Sequence, residues 1–124
     1  MASRREERQE EVRLRVMRLI SCEPEMPSRK VADIVGISNG SAFYILAALV
    51  DKGFLKLRKV KENPGKGSYA HLLTSKGIRE KLLLTHRFIE RKRQEFEDLR
   101  VEIEILEDEV GYSAQGKLLS ELKK

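Results

Sequence analysis

In residues 31–55, VADIVGISNGSAFYILAALVDKGFL, Ala32 is followed four positions later by Gly36. Apolar residues stand around this pair at Val31, Val35, Ile37, Ala42 and Ile45. Two helices that cross steeply through a tight turn have three needs. They need a small residue where they touch, a turn residue without the Cβ penalty, and a shared apolar face. Ala32, Gly36 and the five apolar residues meet those needs, so the spacing predicts a helix-turn-helix. Ser28 reads as the N-cap of the first of these helices, which runs through Val35 and stops at Gly36. Ser38 caps the second, which runs to about Lys52 and is stopped by Gly53.

The flanking segments extend the pattern. Residues 3–21 read as a helix capped by Ser3, with Val12, Val16, Leu19 and Ile20 on one face. The prolines of CEPEMP, residues 22–27, break it. Residues 54–61, FLKLRKVK, alternate loosely and read as a strand, ENPGKG as a turn, and SYAHLLT, residues 68–74, as the returning strand. Thr74 or Ser75 then caps a long final helix. The expected fold is mainly α with a small β-hairpin: a winged helix-turn-helix domain over residues 1–75, then a long C-terminal dimerisation helix and short tail over 76–124.

Charge is unevenly spread over the 124 residues, whose formal net charge is +5. Residues 1–27 hold six Arg against six acids. Residues 28–81 hold eleven Lys/Arg against four acids, net +7, and residues 82–124 are net −2. The basic section coincides with the helix-turn-helix and hairpin, which is the electrostatic footprint of a nucleic-acid binder. The single cysteine, Cys22, cannot form an internal disulfide, and its acidic neighbours Glu23 and Glu25 do not favour a thiolate. His71 has no partner in sequence that suggests catalysis. No GxSxG, P-loop or HExxH pattern occurs and no Cys/His cluster has zinc spacing, so no enzyme activity, metal or cofactor is expected. The longest apolar run, Ala42 to Val50, is too short to span a bilayer. The N-terminus has no apolar core of a signal peptide, so the expected location is the cytoplasm.

The segments VADIVGIS, LVDKGFL and HLLTSKG together resemble the MarR family of bacterial transcription regulators, over roughly residues 10–110. The run LVDKGFLK…LLTSKGI, leading into a basic and then acidic helix, is most similar to the short subgroup associated with exopolysaccharide gene clusters. The resemblance implies a DNA-binding regulator, most simply a repressor that blocks promoter access. One departure is clear: many family members carry Asp-x-Arg in the wing, whereas this chain has NPGKG, so that minor-groove arginine is not carried over. Many relatives respond to small phenolic compounds, but the few aromatics here give no signal for such a pocket, and the effector is left unassigned. The competing reading is a winged-helix protein-interaction module without specific DNA binding.

In a helix-turn-helix the second helix enters the major groove of double-stranded DNA with its N-terminal residues on base edges. The outward residues there are Ser38, Asn39, Ser41 and Tyr44, with Gly40 allowing close approach. Asn pairs bidentately with adenine, and Ser and Tyr donate or accept. No Arg or Lys stands among them, so the expected operator leans towards A·T. Phe43 fits either the core or contact with a thymine methyl. Lys30, Lys56, Arg58, Lys59, Lys61, Lys66 and Lys76 suit phosphate contacts, as does Ser28 through free amides at a helix start.

The final helix carries a seam. Ile78, Leu82, Thr85, Ile89, Lys92, Phe96, Leu99, Ile103, Leu106 and Val110 follow at alternating spacings of four and three. This is a coiled-coil pattern about 50 Å long, and it predicts a homodimer. Residues 76–93 are net +5 and residues 94–109 net −7, so an antiparallel pair crossing near Gln94, with its two heads toward opposite ends, is the expected orientation.

Overall fold

The computed structural model describes residues 3–60 and 69–111. Its elements are α1 (Arg4–Cys22), α2 (Ser28–Val35), α3 (Asn39–Asp51), β1 (Leu55–Lys59), β2 (Tyr69–Leu73) and α4 (Ser75–Val110). The hydroxyl of Ser3 caps α1 by accepting the Glu6 N–H at 3.1 Å. Glu6 and Glu7 sit in the first turn, where the helix dipole favours acids. Leu14, Val16, Met17 and Ile20 form its buried stripe.

The axes of α2 and α3 are bent by 112° across Gly36–Ser38, within the range for helix-turn-helix pairs. Gly36 is left-handed at φ 82°. Both its amide and that of Ile37 bond to the Ala32 carbonyl, at 2.8 and 3.0 Å. Arg15 of α1 closes the same helix end, donating to the carbonyls of Val35 at 3.1 Å and Ile34 at 3.4 Å. A cation at a helix C-terminus both satisfies open carbonyls and complements the dipole. Val31, Ala32 and Val35 are buried on α2, and Ala42, Leu46 and Leu49 on α3.

Two local expectations are corrected. Ser28 is not the N-cap of α2: Pro27 holds that position, extended at φ −70° and ψ 154°. Its carbonyl accepts the Lys30 and Val31 amides at 3.0 and 3.1 Å, which starts the helix one residue earlier. The first strand runs over Leu55–Lys59 rather than 54–61. Phe54 belongs to the closure of α3, with its amide on the Leu49 carbonyl at 2.9 Å; the far end of the expected strand lies outside the described residues.

The hairpin is antiparallel, with Leu55 opposite Leu73 and Lys59 opposite Tyr69. The His71 amide bonds to the Pro24 carbonyl at 2.8 Å, tying β2 to the α1–α2 connection. Met17, Ile20, Val31, Leu49, Leu55 and Leu84 meet in the core, each below 2% exposure.

Thr74 links the wing to α4. Its hydroxyl donates to the Gly53 carbonyl at 2.6 Å and accepts the Gly77 amide at 2.9 Å. Packing divides the chain into two units, Met1–His86 and Arg87–Lys124. The first turns of α4, with Gly77 and Leu84 buried, are part of the first unit. Among the described residues no single helix is long and apolar enough to cross a membrane.

Candidate nucleic-acid interface

The start of α3 is built by Ser38. Its hydroxyl accepts the Ser41 amide at 3.0 Å and donates to the Ser41 Oγ at 2.9 Å. Ser38 is therefore the helix cap, and Asn39 is the first helical residue rather than a capping one. The Ser41 hydroxyl stays at the exposed start of the helix, and a hydroxyl can both donate and accept. Asn39, Gly40 and Ser41 are exposed. Tyr44 follows on the same side at 74% exposure. Phe43, for which the sequence allowed two positions, is 67% exposed and outside the core.

The basic residues fall into three groups. Lys56, Arg58 and Lys59 are exposed along β1, with Lys56 and Arg58 on one face of the hairpin and Lys59 on the other. Lys30 at the start of α2 and Arg58 line one open groove with residues 23–27, so α2 and the wing bring two cations together. Glu23 and Glu25 share that groove and reduce its positive potential. Ser28 lies beside it at the start of α2, where Pro27 supplies no side-chain cap. Lys61 and Lys66 lie outside the described residues.

Lys76 is differently placed. Its ammonium donates to the Lys52 carbonyl at 2.9 Å and stands 5.1 Å from the centre of the Phe54 ring. It closes the C-terminus of α3, and a phosphate contact would have to share or break that bond.

Arg8 and Arg13 were not singled out as contacts from the sequence. Both line a groove between α1 and α3, along with Gln9, Gly40, Ser41, Tyr44 and Lys52. Helical periodicity places a residue on a face of its own helix, but not against a neighbouring helix, so no signal in the sequence points to this. Arg29, next to Lys30, is also exposed.

His71 is half-buried on β2. Its Nδ1 is buried without a hydrogen-bond partner, and burial lowers its pKa from the ordinary 6.5. Cys22 is a free, exposed thiol. Among the described residues no group of three or more His, Cys, Asp or Glu could hold a metal ion.

On α4, Ile78, Leu82, Ile89, Phe96, Leu99, Ile103, Leu106 and Val110 are all exposed, up to 68% at Phe96. In the first turns the buried residues are Gly77 and Leu84, which lie off this line.

Residues 9–56 match a family model described as winged helix-turn-helix DNA-binding, a span that runs from α1 into β1. No curated protein matches the chain in sequence. Three of the solved structures similar to it are transcriptional regulators. One is the PcaV transcriptional regulator from Streptomyces coelicolor, at 23% identity over 85% of this chain and 79% of that one, TM-score 0.57. The second is a MarR/EmrR family transcriptional regulator from Acinetobacter sp. ADP1, at 20% identity over 81% and 75%, TM-score 0.56. The third is the transcriptional repressor CouR, bound to a 23-mer DNA duplex, at 18% identity over 82% and 72%, TM-score 0.56. These similarities establish a winged helix-turn-helix fold shared with MarR-type regulators.

Proposed function

We propose that this chain is a sequence-specific, DNA-binding transcriptional regulator of MarR type, acting as a repressor by occupying promoter DNA. The observation that carries this reading is the exposed start of α3. Ser38 does the capping, which leaves the side chains of the exposed Asn39, Ser41 and Tyr44 free of that role. A helix that fills its N-terminal turn with polar groups not needed for its own stability is suited to reading base edges.

In this reading Asn39, Ser41 and Tyr44 contact bases, and Ser38 orients Ser41. Lys30, Lys56, Arg58 and Lys59 hold phosphates, and the amides at Ser28 take one more. Arg8 and Arg13 join them from α1. Lys61 and Lys66 complete the set expected from the sequence, without Lys76, whose ammonium holds the Lys52 carbonyl. That CouR, a protein of similar fold, was solved on a DNA duplex supports the same assignment. The protein works as a homodimer through the exposed line of α4. Its similarity to the exopolysaccharide-associated subgroup makes genes of that class the first targets to test.

The deciding experiment measures binding to a random duplex at low and high salt, then selects preferred sequences from a random pool. Affinity should fall steeply with salt, as phosphate neutralisation requires, and selection should converge on an A·T-leaning site. Binding that ignores salt, or no binding, would favour the protein-interaction reading. Salt-dependent binding without convergence would remove sequence specificity.

A further inference from the structure

The exposed line of α4 carries more than a capacity to dimerise, because its residues are arranged symmetrically about one point. Ile78 and Val110 are equally far from Gln94 along the chain, and so are Leu82 and Leu106, Thr85 and Ile103, Ile89 and Leu99, and Lys92 and Phe96. In an antiparallel coiled coil each seam residue faces the seam residue equally distant from the twofold axis. A single axis beside Gln94 therefore seats the whole line at once. We propose that α4 pairs with α4 of a second copy as an antiparallel coiled coil in this register. The proposal rests on the homodimer reading above and assigns its orientation and pairing.

Charge supports the same partner. In this register Arg79 lies beside the partner's Glu107, and Lys81 beside the partner's Glu109, on the two rims of the seam. Arg100 is the one cation of residues 94–109, and it is held within its own helix. It bonds Glu97 at 2.5 Å and Glu104 at 2.8 Å, which draws the Glu97 carboxyl below its usual pKa. Within its own helix Lys92 also reaches Glu95, and in this register the basic half of the other helix faces the acids that remain. A parallel pair would instead lay two segments of net charge −7 side by side.

Lys92 decides between the orientations within the seam itself. In a parallel pair it would face its own copy, setting two ammonium groups against each other in the seam. In the antiparallel pair it faces the partner's Phe96. Its ammonium already stands 5.2 Å from the centre of the Phe88 ring and 3.1 Å from Glu95. Its charge is thus already accommodated by an aromatic ring and a carboxylate of its own helix. A polar residue at one seam position fixes register and partner geometry.

The test uses full-length protein with Cys22→Ser and a single spin label at Gln94→Cys or at Asp108→Cys. Both positions lie on the outer side of the helix, away from the seam. In the antiparallel pair the two labels at position 94 are level along the axis, while those at 108 are separated axially by about 42 Å, at 1.5 Å per residue. Label–label distances by pulsed electron resonance should therefore be much longer at 108 than at 94. Equal distances at the two positions would overturn the orientation while leaving the dimer intact. A monomer at micromolar concentration by sedimentation would overturn the dimer reading and the coil with it.

Discussion

A Cβ at Gly77 would overlap the carbonyl oxygen of Phe54 and lie 2.9 Å from its carbonyl carbon. The start of α4 thus rests directly on the backbone that closes α3. This contact is also where the Thr74 carbon frame is fixed, since its hydroxyl joins the Gly53 carbonyl to the Gly77 amide. On helix propensity alone, Gly77→Ala would stabilise by up to about 1 kcal/mol. The contact reverses the sign. Backbone cannot move aside as a flexible side chain can, so the substitution should destabilise by about 2–3 kcal/mol. Urea unfolding gives the value, and a neutral or stabilising result would mean that α4 is not seated on Phe54.

Lys76 separates a structural from a DNA role. Because its ammonium holds the Lys52 carbonyl and covers the Phe54 ring, Lys76→Met should cost about 0.5–1.5 kcal/mol of stability. It should change the salt dependence of DNA binding little. Arg58→Met should do the opposite, lowering the salt slope by about one unit with little effect on unfolding. A lowered slope for Lys76→Met would return Lys76 to the phosphate contacts.

His71 predicts a pH dependence. Burial lowers its folded-state pKa below the ordinary 6.5, so between those two values the unfolded chain binds more protons than the folded one. Stability then rises with pH through this window. The contribution of the neutral imidazole is full above about pH 7 and is lost as pH falls below the unfolded value near 6.5. Thermal melts of the wild type should therefore drop between pH 7 and pH 5.5 more than those of His71→Gln. Parallel profiles would mean that His71 is hydrated in the folded protein.

The helix-turn-helix was legible because its constraints are local. Gly36 must be left-handed, Ala32 must be small, and Ser38 must cap, and each of these is settled within a few residues of sequence. The hairpin was legible from its alternation and turn residues. Its first strand was read too long because Phe54 serves the α3 terminus, a bond to Leu49 that alternation does not register. What the sequence could not give were contacts between elements. Arg15 on the α2 carbonyls, Lys76 on the α3 carbonyl and Gly77 on Phe54 each join segments 19 or more residues apart. The placement of Arg8 and Arg13 beside Tyr44 depends equally on how α1 packs against α3. A basic residue reads as surface in sequence, whether it meets solvent, a phosphate or a helix end.

Base readout rests most directly on Asn39. Asparagine is a frequent cap. The structure assigns the cap to Ser38, whose oxygen takes the Ser41 amide at 3.0 Å. Asn39→Ala should therefore leave stability nearly unchanged, whereas Ser38→Ala should cost about 1 kcal/mol as a lost N-cap does. On DNA the two should also differ. If Asn39 pairs bidentately with an adenine, its removal should weaken binding to the selected operator by about 1–3 kcal/mol and leave binding to random duplex almost untouched. Ser38→Ala should weaken binding to both by disordering the start of α3. Titrations of both variants against both duplexes, with unfolding curves alongside, give four comparisons. Equal loss on operator and random DNA for Asn39→Ala would assign Asn39 to the phosphate backbone, and no loss on either would place the base contacts elsewhere on α3.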